Sequence, residues 1–181
     1  MGAQRLIRIG LISLLGTLSW NVNAQEPMLL RAVDCNGRPF ELQTLRGQIV
    51  ALTFASRYTK DEAARVNGAL NEHHARVVTV VDFQGIPGAF HSYAKKKMAE
   101  NDRRGRIRQL VDERSEFRRT LSVQPDKRVD IFVIDREGSL RGRYIGEKQL
   151  EEALAMVDDL SAADESAARK ESATLEASVQ P

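Results

Sequence analysis

The chain has 181 residues, of which 42% are hydrophobic, 29% charged and only 6% aromatic, with a single cysteine. That length suits one domain of ordinary size with its own core, and one cysteine excludes an internal disulfide framework. Its 27 basic and 25 acidic residues give a formal charge of +2, too little to require nucleic acid or a membrane surface as a partner.

The first element is a leader. Arg5 and Arg8 precede the apolar stretch LISLLGTLSW, and Val22-Asn23-Ala24 places small residues at a cleavage position. A charged n-region, a short apolar h-region and an A-x-A-like site predict a secretory signal peptide, residues 1–24. The apolar run is about half the roughly 20 residues that a bilayer span takes. The leader carries two arginines and no acid, so the chain after Ala24 is balanced in charge.

Residues 25–160 read as one domain. AVDCNGRPF (Ala32–Phe40) holds Asn36-Gly37, a dipeptide that takes positive φ at both centres and predicts a tight hairpin. LQTLRG leads into a strand, Gln48–Phe54, whose unbroken apolar character predicts a central strand covered on both faces. Thr59 and Glu62 have capping-box spacing, with Asp61 and Glu62 in the first turn, and Ala63, Val66 and Leu70 continue a helical stripe to about His74.

Val77–Phe83 is a β-branched strand, broken by Ile86-Pro87-Gly88, with a helix expected over Ala89–Asn101. RIRQLVD (Arg106–Asp112) reads as a strand and EFRRTLSV as a short helix. RVDIFVID (Arg128–Asp135), the turn REGS and LRGRYI predict a strand–turn–strand. Leu150, Ala153, Leu154 and Val157 then mark an amphipathic helix over Glu147–Leu160. Residues 161–181 carry no aromatic and are expected to form a polar tail, disordered or partly helical. Alternating short apolar strands and helices indicate an α/β sandwich around a mixed sheet.

VDCNGRPFELQTLRGQIVALTFAS resembles the opening of thioredoxin-like and peroxiredoxin proteins of the bacterial envelope, and IFVIDREGSLRGRYIG resembles the strand–turn–strand that closes their core. ASRYTKDEAARVN, VVDFQGIPGAF with a basic helix after it, and FVIDREG look most like the YtfJ-type periplasmic proteins. The resemblance covers about Ala32–Leu160. It implies a thioredoxin-like three-layer α/β sandwich, a mixed central sheet flanked by helices, and a periplasmic location. It also implies a missing nucleophile. Laid on the thioredoxin W-C-x-x-C pattern, the cysteine positions fall on Tyr58 and Asp61. On the peroxiredoxin pattern, Thr59 matches the threonine, but Glu62 stands at the peroxidatic position. The proline before the last central strand of thioredoxins falls near Val129. Acids at a helix start satisfy its dipole themselves and leave little to stabilise a thiolate.

The candidate binding loop is therefore Arg57, Tyr58, Thr59, Asp61 and Glu62, between a strand and a helix where α/β folds place function. A second candidate is a basic patch in KKKMAENDRRGRIR, comprising Lys95, Lys96, Lys97, Arg103, Arg104 and Arg106, suited to an anionic surface or acidic partner. Cys35 is a candidate only for an intermolecular disulfide. His73 and His74 point about 100° apart on a helix, and with His91 they predict no metal site. No cofactor and no nucleic-acid partner are expected. A non-redox binding or accessory module of the envelope is the expected function, with an unknown envelope protein or small ligand as partner. The alternatives are a thiol redox accessory acting through Cys35, a peroxiredoxin-like enzyme with a displaced nucleophile, acid–base work by Asp61 and Glu62, or an envelope-associated structural protein held by the patch.

Overall fold

The computed structural model describes residues 30–84, 86–102, 107–114, 116–124 and 128–179; the leader expected at residues 1–24 lies outside them. Strands β1 (Arg31–Val33) and β2 (Pro39–Glu41) pair as a hairpin. Strands β3 (Val50–Ala55), β4 (Arg76–Asp82), β5 (Arg108–Asp112), β6 (Asp130–Ile134) and β7 (Leu140–Ile145) form a five-stranded sheet in the order β5-β4-β3-β6-β7. The helices are α1 (Lys60–Glu72), α2 (His91–Asp102), α3 (Glu116–Thr120) and α4 (Leu150–Val179).

β3, β4 and β5 run parallel, while β6 and β7 add antiparallel strands on the other side of β3. Both parallel crossovers step outward from β3, so a common handedness puts α1 and α2 on the same face. α4 joins them there, Ala153, Leu154 and Val157 packing with Val66 and Leu70 of α1 and Ile131 of β6. The opposite face is covered by the hairpin, a 3-10 turn at Leu42–Leu45 and α3, with Phe40, Leu42 and Phe117 against Leu52, Val80 and Phe132. The expected three-layer α/β sandwich is what forms. β3 is buried at every position, which explains its unbroken apolar sequence: neither face meets water.

Two expectations are corrected. Val33 pairs with Pro39, so the hairpin loop spans residues 34–38 rather than the Asn36-Gly37 pair alone. Gly37 takes positive φ (77°) and Asn36 does not. Asp34 closes the loop instead, its Oδ1 accepting the N–H groups of Asn36 and Arg38, each at 2.9 Å. At the other end of the chain, residues 161–179 continue α4 to Val179. The segment contains neither Gly nor Pro and is rich in Ala and Glu, so helix propensity carries the helix past its last core contact. An Arg136–Asp164 ion pair ties the start of this extension to the β6–β7 turn.

Candidate binding site

The loop Ser56–Thr59 leaves the carboxyl end of β3 and enters α1. Thr59 stands at the N-cap but makes no side-chain capping bond to the helix. Its hydroxyl turns back, accepting the N–H of Ser56 at 2.9 Å and donating to the Ser56 carbonyl at 3.3 Å. Glu62 also leaves the capping box unformed. Its Oε2 accepts the N–H of Val129 at 3.1 Å, and its Oε1 accepts the N–H of Glu147 at 3.1 Å. Val129 immediately precedes β6, and Glu147 opens the 3-10 turn before α4. Both are strand-end or turn donors that need an acceptor, and one carboxylate supplies two. Gly146 makes room for it: at φ +70°, a Cβ there would lie 3.0 Å from Glu62 Oε1. The spacing matches a capping box, yet Thr59 bonds the local Ser56 backbone and Glu62 bonds tertiary partners.

Arg57 and Tyr58 project outward. Tyr58 is 65% exposed, the Arg57 guanidinium lies 4.5 Å from its ring centroid, and the two side chains are hydrogen bonded. Asp61 is exposed at the first turn of α1. The binding-loop candidates thus divide: Arg57, Tyr58 and Asp61 face solvent, whereas Thr59 and Glu62 hold the loop and the sheet end together.

Beside the loop lies an open cleft of about 870 Å³ between α1 and α2, over the helix-covered face of β3, β4 and β5. Its floor includes Ala55, Val81 and Phe83, its α1 wall Ala63, Ala64 and Asn67, and its α2 wall Ala94 and Met98. The cleft exists because α2 packs loosely: Met98 is its one buried side chain among those described, so small residues on α1 meet no large partner. Arg57, Lys60, Lys97 and Tyr93 stand around the lining, in which there is no acid among the described residues.

Under the α1 wall sits a closed polar ring. Thr53 Oγ1 donates to Asn67 Oδ1 (2.9 Å), Asn67 Nδ2 donates to Thr79 Oγ1 (2.9 Å), and the two hydroxyls are 3.0 Å apart. With the Thr53 proton given to Asn67, Thr79 is the donor in the last bond. Thr53, Asn67 and Thr79 are all buried, and the ring gives each side chain a hydrogen-bond partner within the protein.

The basic patch is divided. Successive positions on α2 point about 100° apart; Lys95 pairs with Glu113 (2.5 Å), Lys97 pairs with Glu100 (2.8 Å), and Lys96 is exposed. Lys95 holds the Glu113 carboxyl below its ordinary range. Arg103, Arg104 and Arg106 lie outside the described residues. Cys35 is buried against Phe83, Met98 and Val111, its N–H bonded to Gln109 of the edge strand β5 at 3.2 Å. That is two strands from β3 and the start of α1. Among the described residues no group of three or more His, Cys, Asp or Glu could hold a metal. His73 pairs instead with Asp158 of α4, and His91 with the Ile86 carbonyl.

A buried acid pair closes the carboxyl ends of β4 and β5. Asp82 and Asp112 are register partners. Burial pushes the Asp112 carboxyl above its ordinary range, and the Asp82 charge adds to this, against N–H bonds from Arg118 and Glu116. A raised native pKa means that the native state binds the proton more readily than the unfolded chain. Stability from this group is present at low pH and falls as pH rises from about 4 through the raised value. The destabilisation caused by Asp112→Asn, measured by denaturant titration, should therefore shrink between about pH 4 and pH 7. A cost that grows with pH would reverse the assigned cause.

Solved structures match this architecture over about three quarters of the chain. The exposed lipoprotein thioredoxin Etrx1 of Streptococcus pneumoniae superposes with a TM-score of 0.57 at 19% identity, over 74% of this chain and 100% of its own. The fold is thioredoxin-like. MTB dsbF matches with a TM-score of 0.54 at 18% identity, over 72% and 94% of the two chains. BsSco, a member of the Sco family of cytochrome c oxidase assembly proteins, gives 0.55 at 12% identity, over 77% and 95%. No protein-family model matches the sequence, and no curated protein matches it. The loop after β3 and the start of α1 carry no cysteine; the one cysteine, Cys35, is buried in the β1–β2 loop. No helix among the described residues is long and apolar enough to cross a membrane.

Sequence reasoning had no hold on Lys60, Ala64 and Tyr93 as a site, nor on Asn67. One signal was present: Asn67 interrupts the Ala63–Val66–Leu70 stripe with a polar side chain on the buried face.

Proposed function

We propose that this is an exported, periplasmic thioredoxin-fold protein of the YtfJ type that works by binding a partner or ligand and not by thiol–disulfide exchange. The observation that carries the reading is Glu62. A carboxylate at the peroxidatic position, with both oxygens engaged by backbone N–H groups, makes that position a structural tie. Arg57, Tyr58 and Asp61 remain on the surface beside it for recognition, and an exposed aromatic next to a cation is a common contact pair. The apolar leader in residues 1–24 and the thioredoxin-like fold support export.

Insulin reduction and peroxide consumption by the wild type and a Cys35→Ser variant test the reading, and neither protein should exceed background. Activity lost on Cys35→Ser would make Cys35 the nucleophile and overturn the proposal. The competing mixed-disulfide reading requires the thiol to be reachable, and Cys35 is 6% exposed. Ellman's reagent should modify it at least roughly a hundredfold more slowly in the native protein than in denaturant, since reaction waits on opening. Equal rates would favour the redox accessory.

A further inference from the structure

We infer that the cleft between α1 and α2 is a binding site for a small amphipathic carboxylate whose apolar body carries a hydrogen-bond acceptor. This deepens the binding reading above and rests on it. Three independent features converge. The volume of about 870 Å³ lies within the roughly 300–1,000 Å³ of small-molecule sites, and its floor of Ala55, Val81 and Phe83 is apolar. The cations come from three elements, the loop (Arg57), α1 (Lys60) and α2 (Lys97, which pairs with Glu100), and among the described residues no acid lines the space. Lys60 makes no ion pair among the described residues. Its charge is available in a site whose low-dielectric walls strengthen attraction.

The third feature is the polar ring. Asn67 lines the cleft and is 5% exposed, and its amide carries two N–H donors. The ring uses one, whichever way the amide is assigned, because each threonine offers a single proton. The second N–H has no acceptor in the ring, and Asn67 lines the cleft, so a ligand acceptor that displaces water there can take it. The few polar groups of apolar pockets usually serve in this way. Lys60 and Asn67 lie on one face of α1, two turns apart, about 10 Å along the axis. That spacing sets the separation between the anionic head and the acceptor.

N-hexanoyl-ε-aminocaproate, with a carboxylate at one end and an amide in mid-chain, is the probe. Calorimetric titration of the full-length chain should give saturable one-to-one binding, with amide NMR shifts confined to the end of β3, the loop after it, α1, α2, β4 and β5. Its neutral methyl ester and the Lys60→Glu variant should each bind roughly tenfold more weakly. Tridecanoate, of the same length without the amide, should bind roughly fivefold more weakly. Ala64→Trp, an exposed helix position that tolerates a large side chain, should abolish binding by filling the cleft while leaving the thermal transition in place. Unchanged affinity in Ala64→Trp, shifts mapping elsewhere, or equal affinity for the ester would overturn the inference. Failure of the parent reading shows differently: thiol exchange through Cys35 would appear in the insulin assay whether or not the probe binds.

Discussion

Replacing Glu62 with alanine should destabilise the protein by about 2 kcal/mol, a fall of about 5 °C or more in Tm for a domain of this size. The loss is large for a half-buried residue because two backbone donors, Val129 N–H and Glu147 N–H, lose their acceptor together. Glutamine should do little better. An amide offers one acceptor oxygen and turns its NH2 toward the second donor, so donor faces donor. Gly146→Ala should reach a similar loss by another route, forcing a Cβ to within 3.0 Å of Glu62 Oε1 at a backbone φ of +70°. In the double variant the two costs should be less than additive, since the carboxylate that the added Cβ would crowd is already gone. Urea titration of the four proteins decides the matter. A neutral Glu62→Ala, or full additivity, would remove Glu62 from its role as a tie and with it the main argument against a displaced active site.

Asn67→Ala should cost about 3 kcal/mol. Deleting the amide opens space under α1 and leaves the buried hydroxyls of Thr53 and Thr79 without their amide partner. Removing all three polar groups at once should reverse most of this. Thr53→Val, Asn67→Leu and Thr79→Val together preserve shape and leave no unpaired donor, so the triple variant should return to within about 1 kcal/mol of wild type. Denaturant midpoints of the single and triple variants test the ring directly. If the triple variant is no more stable than Asn67→Ala, packing and not hydrogen bonding sets the cost. The triple variant should also lose the amide-dependent part of probe binding, because the spare N–H of Asn67 disappears with it.

Much of the fold is legible in the chain because periodicity is a local property. The unbroken apolar run of β3 announces burial on both faces, and the Ala63–Val66–Leu70 spacing announces which side of α1 meets the sheet. LRGRYI marks β7 at its observed bounds, Leu140–Ile145. The absence of a cysteine at the start of α1 is equally plain. What periodicity leaves open is where a polar side chain finds its partner. Thr59 and Glu62 satisfy a capping-box pattern within four residues, yet Glu62 bonds groups 67 and 85 residues away. Two backbone donors, the buried Val129 N–H at the start of β6 and the Glu147 N–H before α4, together outweigh a cap that solvent can replace at the helix end.

The same distinction runs through the rest of the molecule. The turn dipeptide Asn36-Gly37 marks a reversal, but Asp34, held beside β5, sets the length of the loop. Polar residues after position 160 mark a surface segment; their helix propensity and the continuous α4 make it helical. The alternation of strands and helices, the central strand and the missing nucleophile belong to the sequence, each being a matter of neighbours within a few residues. The tie at Glu62, the ring at Asn67 and the cleft beside it arise only when elements remote in the chain are brought face to face, since a buried polar group is satisfied by whatever the fold sets within 3 Å of it.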